Sequence, residues 1–354
     1  MPVTSSKPAL CASFDVLLMD LDGVVYIGSN AVDFAAQALA RCAEDFGTQI
    51  VYVTNNASRT PADVVDVLAG VGVVADQDQI VTSAQVAAAR LAQELDAGQP
   101  VLVVGGKGLE VALRAVGLIP VRSLEQNPVA VVQGFHPDIG WRDLAQAAGA
   151  LHDGLPWVAS NADMTLPTEL GIAPGNGALI GALAVAVGRY PEVVGKPYPP
   201  ALVEAVARSS AQRPLVVGDR LDTDIEAAFA AGYPSLLVLT GVTDVAQVCH
   251  AVEKHRPTYI CRDLRGLLHD YVAPEFAPEF APEADGDRVR LGGWELELAA
   301  DHLAVTNRGS DPIQGVRAIA MACWQQSDAG RDIGAQALEL IDQLQRDLKS
   351  ESAS

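Results

Sequence analysis

Positive charge is what this chain has least of: 24 lysines and arginines face 44 aspartates and glutamates, a formal net charge of −20 at pH 7. That balance argues against nucleic acid and against anionic membrane surfaces, both of which bind through basic patches. Lysine is scarce, standing only at positions 7, 107, 196, 254 and 349. The five cysteines, Cys11, Cys42, Cys249, Cys261 and Cys323, include no Cys-x-x-Cys pair. Their odd number and spacing point to reduced, structural thiols in a cytoplasmic protein. Long apolar runs are missing too. Met1 to Leu10 lack a signal peptide's apolar core, and no uninterrupted segment reaches membrane length. What remains suffices for folding: hydrophobic residues make up 49% of 354 positions, enough for two domains and an appendage.

Against that background one segment stands out. The apolar run Val16-Leu17-Leu18-Met19 leads into Asp20-Leu21-Asp22-Gly23. On a strand, side chains alternate, so Asp20 and Asp22 project to one side while Leu21 points away. Gly23 permits a sharp turn without a Cβ penalty. Such a compact acidic site suits a magnesium ion, a nucleophilic carboxylate and a neighbouring acid/base. Alone, an Asp-x-Asp pair is as compatible with a solvated loop. Three later segments support the chemical reading: Val51-Tyr52-Val53 into Thr54-Asn55-Asn56, then Gly195-Lys196-Pro197, then Leu215-Val216-Val217 into Gly218-Asp219-Arg220-Leu221-Asp222-Thr223-Asp224. In a doubly wound sheet, ligands sit outside the carboxyl ends of strands near the topological switch point. Strand-end motifs distant in sequence can therefore converge there.

Periodicity organises the rest. Ala35 to Phe46 has helical spacing, Gln49 to Val53 is β-branched, and Pro61 opens a helix behind Thr60, a good N-cap. Thr82 or Ser83 caps an alanine-rich helix. From Val101 a second run of short strands and helices begins. Gly105-Gly106-Lys107-Gly108 lacks a P-loop's length and closing Lys-Ser/Thr, which favours a structural turn. Trp141 and Trp157 read as core of this second unit. Strands and helices of the first type resume after Lys196. Beyond residue 270, Ala273-Pro274-Glu275-Phe276 repeats as Ala277-Pro278-Glu279-Phe280 and echoes in Ala281-Pro282-Glu283. Proline every fourth residue prevents a regular helix, so this reads as a semi-rigid linker. Trp294 to Leu298 and His302 to Val305 alternate like a hairpin, and two helices follow, Val316 to Gln326 and Asp332 to Leu348.

In order, the four segments match motifs of the haloacid dehalogenase-like hydrolases, which this chain resembles. Tyr26, Thr54-Asn55-Asn56, Asn161-Ala162-Asp163 and Pro174-Gly175-Asn176-Gly177 are similar to the NagD-type, 4-nitrophenylphosphatase-like and glycerol-phosphate phosphatase subfamily. The likeness spans roughly residues 13–265 and leaves the C-terminal part unaccounted for. The expected fold is α/β: a doubly wound Rossmann-like core (13–83 and 191–270) with an inserted α/β cap (84–190). Around it come a flexible N-terminus (1–12), a Pro/Glu linker (271–286) and a small α+β hairpin-and-helices appendage (287–354).

The resemblance implies a Mg²⁺-dependent phosphatase of a small phosphate monoester. Asp20 would be the nucleophile, forming an aspartyl-phosphate, and Asp22 the acid/base. Asp20, the Asp22 carbonyl and Asp219 would hold Mg²⁺, with Asp224 acting through water or one shell out. Thr54, the Asn55 N–H and Lys196 would bind the phosphoryl oxygens, while Gly23 and Asn56 shape the loops. Because the substrate is itself an anion in an acidic protein, Mg²⁺, Lys196, Arg59, Arg220 and backbone N–H groups must reverse the local field. On the cap side, Asn161 and Asp163 could touch substrate or shape the hinge. His136 stands where related sequences often carry an acidic residue. Glycerol 3-phosphate or a related polyol or sugar phosphate is favoured by resemblance, which would place the protein in glycerol or phospholipid metabolism. The alternatives are a phosphoryl transferase or mutase of the same fold and a non-catalytic metabolite-binding regulator. No nucleic-acid or membrane partner is expected, and a homo-oligomer through cap or appendage is left open. The appendage lacks a glycine-rich pyrophosphate-binding signature, so docking, oligomerisation or regulation is preferred over acyl transfer.

Overall fold

The computed structural model describes residues 9–168, 171–278, 287–298, 302–331 and 333–352. Six parallel strands form the core sheet, in the order Tyr259–Cys261, Ser235–Val238, Pro214–Gly218, Val16–Met19, Gln49–Thr54, Ile80–Thr82. A parallel sheet covered on both faces needs near-continuous apolar strands, and Val16, Leu17, Leu18 and Met19 are all fully buried. The chain leaves Val16–Met19 to one side and returns on the other, pairing Val16–Met19 with both Gln49–Tyr52 and Pro214–Val217. The switch point therefore lies at the first strand's carboxyl end, where Asp20 begins.

The crossover helices are specified locally. Ala35–Phe46 buries Ala35, Ala38, Leu39 and Cys42, one face at helical spacing, and ends at Gly47 with φ +67°. Pro61–Gly70 starts from a capping box: the Asp63 N–H donates to Thr60 Oγ1 (3.2 Å), and the Thr60 N–H donates to Asp63 Oδ2 (2.9 Å).

The cap is a second parallel sheet, ordered Glu192–Val193, Trp157–Ala159, Ala130–Gln133, Pro100–Val104, Ile119–Val121. It runs past the expected boundary at 190, because Glu192–Val193 pairs with Val158 and Ala159 and not with the core sheet. Helices Trp141–His152 and Asn176–Val187 pack on one face. On the other face a single buried cluster runs from Val16, Leu18, Val51 and Val53 of the core into Val101, Val103 and Val132 of the cap. Trp157 is buried as expected, but Trp141 is 80% exposed, because the helix it opens turns Ala147, Ala150 and Leu151 inward instead. The Gly105–Gly108 turn is structural: the Gly108 N–H donates to Ser58 O (3.1 Å), and a Cβ there would lie 2.4 Å from Ala57 O. It is where the start of the cap helix Lys107–Ala115 meets Ala57, Ser58 and Arg59, just past the Thr-Asn-Asn segment.

Two expectations about the ends need correction. In place of a flexible terminus over 1–12, Leu10–Ser13 form a 3-10 turn with Leu10 and Cys11 buried. The Leu10 N–H donates to His269 O at 2.8 Å. Residues 1–8 lie outside the described residues. Within the supposed linker 271–286, Glu275–Pro278 is an edge strand paired with Asp287–Arg290. An edge position tolerates proline because one row of amides needs no partner; residues 279–286 lie outside the description. The C-terminal unit is thus a four-stranded antiparallel meander, Glu275–Pro278, Asp287–Leu291, Trp294–Leu298 and Leu303–Asn307, with helices Pro312–Asp328 and Gly334–Ser352. Asp332, expected to open the second helix, lies outside the described residues. This unit is not a separate body. Val316, Ile319, Ile341 and Leu344 share one buried cluster with Leu237, Val248 and Ile260 of the core. No helix among the described residues is long and apolar enough to cross a membrane.

Candidate active site

Asp20 leaves the first strand with its N–H donating to Val217 O at 2.8 Å, which ties it to the strand that delivers Asp219. Asp20, Asp219 and Asp224 each present a carboxylate oxygen, all within 4.8 Å of one another. Lys196 is the counter-charge. Its Nζ donates to Asp20 Oδ1 (2.5 Å), Asp224 Oδ1 (2.6 Å) and Val53 O (3.0 Å), in a position only 3% exposed. Burial opposes the charge on Lys196, but Asp20 and Asp224 overcome it and hold the ammonium above its ordinary pKa. Asp224, expected at a remove, therefore stands in the cluster itself.

The carboxylates feel both burial and each other. Burial, with the charges of Asp224 and Asp219 beside it, pushes Asp20 well above the usual carboxylate range despite Lys196. Burial and Asp224 raise Asp219 to about 7, against the Val242 N–H that bonds it. Asp219 Oδ2 accepts that N–H at 2.7 Å, whereas Asp219 Oδ1 is buried with no hydrogen-bond partner. An orphaned carboxylate oxygen costs free energy unless something fills its lone pairs. Hard oxygen donors, excess negative charge and an unsatisfied oxygen are what a divalent cation such as Mg²⁺ requires, so these residues fit one. Two glycines clear the space: a Cβ on Gly23 (φ +85°) would lie 2.4 Å from Asp219 Oδ2, and one on Gly241 2.0 Å from it. Asp22 lies outside the cluster and is open to solvent. The protein around it nevertheless raises its carboxyl, more than the Gly28 N–H and Arg59 lower it. The Arg59 charge also acts on Tyr26, countering in part the rise that burial gives its hydroxyl.

The Thr-Asn-Asn loop divides its labour. Thr54 Oγ1 accepts the Asn56 N–H (3.1 Å), so its own O–H is the donor it can offer an anion. Asn56 Oδ1 accepts from Ser58 N, Ser58 Oγ and Arg59 N (2.9, 2.8 and 3.2 Å), bracing the loop. Asn55 does more than supply a backbone N–H. Its Nδ2 donates to Lys196 O (3.0 Å) and to the Asp163 carboxylate (3.2 and 3.3 Å), while its Oδ1 accepts the Lys196 N–H (2.9 Å). Asn161 Nδ2 and Ser83 Oγ both donate to Asn55 O (2.8 and 2.6 Å). Asn161 and Asp163 thus bind the cap's return segment to the core, with Asp163 raised by burial against its Asn55 bonds. His136 is not in the carboxylate cluster. It stands in the cap–core seam, 3.6 Å from Asp138 Oδ2, close to Gly106 and Ser58. Asp222 turns to Arg220 (2.9 and 3.1 Å).

Sequence reasoning missed Ser83, Gly241 and Val242. Thr240-Gly241 follows the strand Ser235–Val238. Its position at the carboxyl edge of a parallel sheet was the available signal.

This parallel core with an inserted cap and a lysine-bridged carboxylate cluster defines a class: the chain belongs to the haloacid dehalogenase-like hydrolases. Residues 17–119 match the model of a haloacid dehalogenase-like hydrolase and 193–267 that of a HAD-hydrolase-like family. Among individual proteins, the chain is 43% identical over 329 residues to the D-glycerol 3-phosphate phosphatase of Mycobacterium tuberculosis, covering 90% of this chain and 88% of that one. A crystal structure of the glycerol phosphate phosphatase of that organism with magnesium superposes with a TM-score of 0.82 at 41% identity, over 95% of this chain and 98% of the other. The p-nitrophenyl phosphatase of Archaeoglobus fulgidus gives a TM-score of 0.67 at 29% identity, over 72% and 98%. Residues 291–345 match a GCN5-related N-acetyltransferase like domain.

Proposed function

We propose that the chain is a Mg²⁺-dependent phosphatase of small phosphate monoesters, with glycerol 3-phosphate the preferred substrate. The observation that carries this is the buried Lys196 clamped between Asp20 and Asp224, beside an Asp219 oxygen left without a partner. Asp20, the Asp22 carbonyl and Asp219 would hold the Mg²⁺, and Asp224 fixes Lys196 beside Asp20. When bound, the ion neutralises charge on the phosphoryl oxygens. Thr54 and the Asn55 N–H bind those oxygens and aim the phosphorus at Asp20, while the Lys196 ammonium, its three N–H groups taken by Asp20, Asp224 and Val53 O, offsets their charge. An Asp20 oxygen attacks, the ester bond breaks, and Asp22 gives its proton to the departing alkoxide. Asp22 then takes a proton from water, whose oxygen attacks the aspartyl-phosphate, releasing phosphate and restoring Asp20. Asp22 must be protonated at the first step, which its raised pKa favours. Lys196 stays charged throughout, held by two carboxylates.

The cap over the carboxyl ends excludes water and favours small metabolites over protein substrates. Arg59 and His136, on the core and cap sides of the seam, face the leaving group. Identity of 43% to a D-glycerol 3-phosphate phosphatase supports the substrate choice, and a cytoplasmic place in glycerol or phospholipid metabolism follows from it. The negative charge favours neither nucleic acid nor membrane as partner. The test is phosphate release across a panel of polyol, sugar and nucleoside monophosphates, with Mg²⁺ and with chelator. Mg²⁺-dependent release led by glycerol 3-phosphate is expected. Release from no compound would sink the reading.

A further inference from the structure

The segment Thr240–Val245 lies between the candidate metal site and the C-terminal unit and bonds to both. At one end, Thr240 Oγ1 donates to Gly23 O (2.6 Å), the Val242 N–H donates to Asp219 Oδ2 (2.7 Å), and the Thr243 N–H donates to Asp219 O (3.2 Å). Asp219 is thus held at both its carboxylate and its carbonyl. At the other end the segment enters the short helix Val245–Cys249, whose first N–H groups have no intrahelical acceptor. Asp244 and Gln247 cap each other, the Gln247 N–H on Asp244 Oδ1 (2.8 Å) and the Asp244 N–H on Gln247 Oε1 (2.9 Å). The Val245 N–H goes instead to Gln345 Oε1 of the last helix, at 2.8 Å. Trp324 of the preceding helix donates Nε1–H to Val248 O (2.8 Å). Both C-terminal helices therefore grip the same short helix. Leu221 and Ile225, just beyond Asp219, belong to the buried cluster that contains Ile341 and Leu344.

We propose that the C-terminal unit is a positioning element of the metal site, and that Gln345 is the residue through which it acts. Resting on the phosphatase reading, the claim is that Gln345 fixes Val245, the segment fixes Val242, and Val242 holds Asp219 Oδ2. The orphaned Oδ1 is then the oxygen presented to the cation. Partners one step out from a metal ligand orient it and set its affinity. Were Gln345 only a docking contact, its loss would act like loss of any other contact between the two units. Arg256 and Asp328 supply such a contact, two bonds of 2.7 Å that reach neither Val245 nor Asp219.

The experiment uses the full chain with Gln345→Ala, Gln345→Glu and Asp328→Ala. It reads Mg²⁺ affinity by calorimetry and hydrogen exchange at the Val242 amide without Mg²⁺. Gln345→Ala should weaken Mg²⁺ binding by about three- to tenfold, below the range for residues touching a ligand directly, and should speed exchange at Val242. Gln345→Glu keeps an acceptor and should restore both, and Asp328→Ala should match the wild type. Wild-type affinity and exchange in Gln345→Ala, or equal losses in Asp328→Ala, would overturn the proposal. A wild-type chain that binds no Mg²⁺ would overturn the phosphatase reading instead, leaving Val242 exchange to decide the positioning claim.

Discussion

At the scale of single residues, Lys196 decides whether the cluster can exist. Removing one partner of a buried ion pair leaves uncompensated charge, at a cost of about 3–5 kcal/mol. Lys196→Met should therefore lower the unfolding free energy of the metal-free chain by that amount, read by denaturant melts, and abolish phosphate release. Asp22 is different. It is solvent-open and outside the cluster, so Asp22→Asn should leave the fold intact while cutting kcat by about 10²–10⁴, the usual weight of a general acid/base. Asp219 carries a pH signature. Its folded-state pKa of about 7 stands above the ordinary 3.8, so it favours the fold below the lower value. That contribution is lost as pH rises through about 7. Mg²⁺ reverses the loss by binding the ionised form. Thermal melts should show a larger gain in Tm from Mg²⁺ at pH 8 than at pH 5. An equal gain at both would contradict the assignment. Asp20, Lys196 and Asp219 were legible as candidates because each follows an apolar strand or sits in a loop with Gly and Pro. The partners of Asn55 were not, since its bonds to Asp163 and Lys196 bridge 108 and 141 residues of chain.

At the scale of elements, the turns at the sheet's carboxyl edge matter more than the strands. Gly241 has room for no side chain: a Cβ would lie 2.0 Å from Asp219 Oδ2. Gly241→Ala should push that carboxylate out of line. Mg²⁺ binding should fail in calorimetry, and stability should fall by the roughly 1–3 kcal/mol typical of overpacking. Thr60, Pro61 and Thr82 announced their helices because capping is local chemistry. The helix Ala35–Phe46 was equally plain from its apolar spacing. Glu275–Pro278 was not legible as a strand, because pairing at a sheet edge depends on a partner strand and not on its own prolines. Trp141 misled for a related reason: which face of a helix turns inward is set by the sheet beneath it.

At the scale of the whole molecule, the two α/β layers and the appendage share buried surface without clean seams. Removing residues 271–354 would uncover Leu237, Val248 and Ile260, which the C-terminal helices now cover. The shortened chain should lose solubility or melt markedly earlier. Unchanged stability, activity and oligomeric state would refute an integral role for the appendage. The doubly wound architecture was readable because alternating strands and helices leave few other topologies. The docking of the appendage was not, since interfaces between units leave no periodic trace. The central claim is that the Asp20–Lys196–Asp219–Asp224 cluster is where phosphate esters are hydrolysed. The most direct test is phosphate release from glycerol 3-phosphate by the wild type and Asp20→Asn, with Mg²⁺ present. The account predicts turnover by the first and none above background by the second. Equal turnover by both would contradict it.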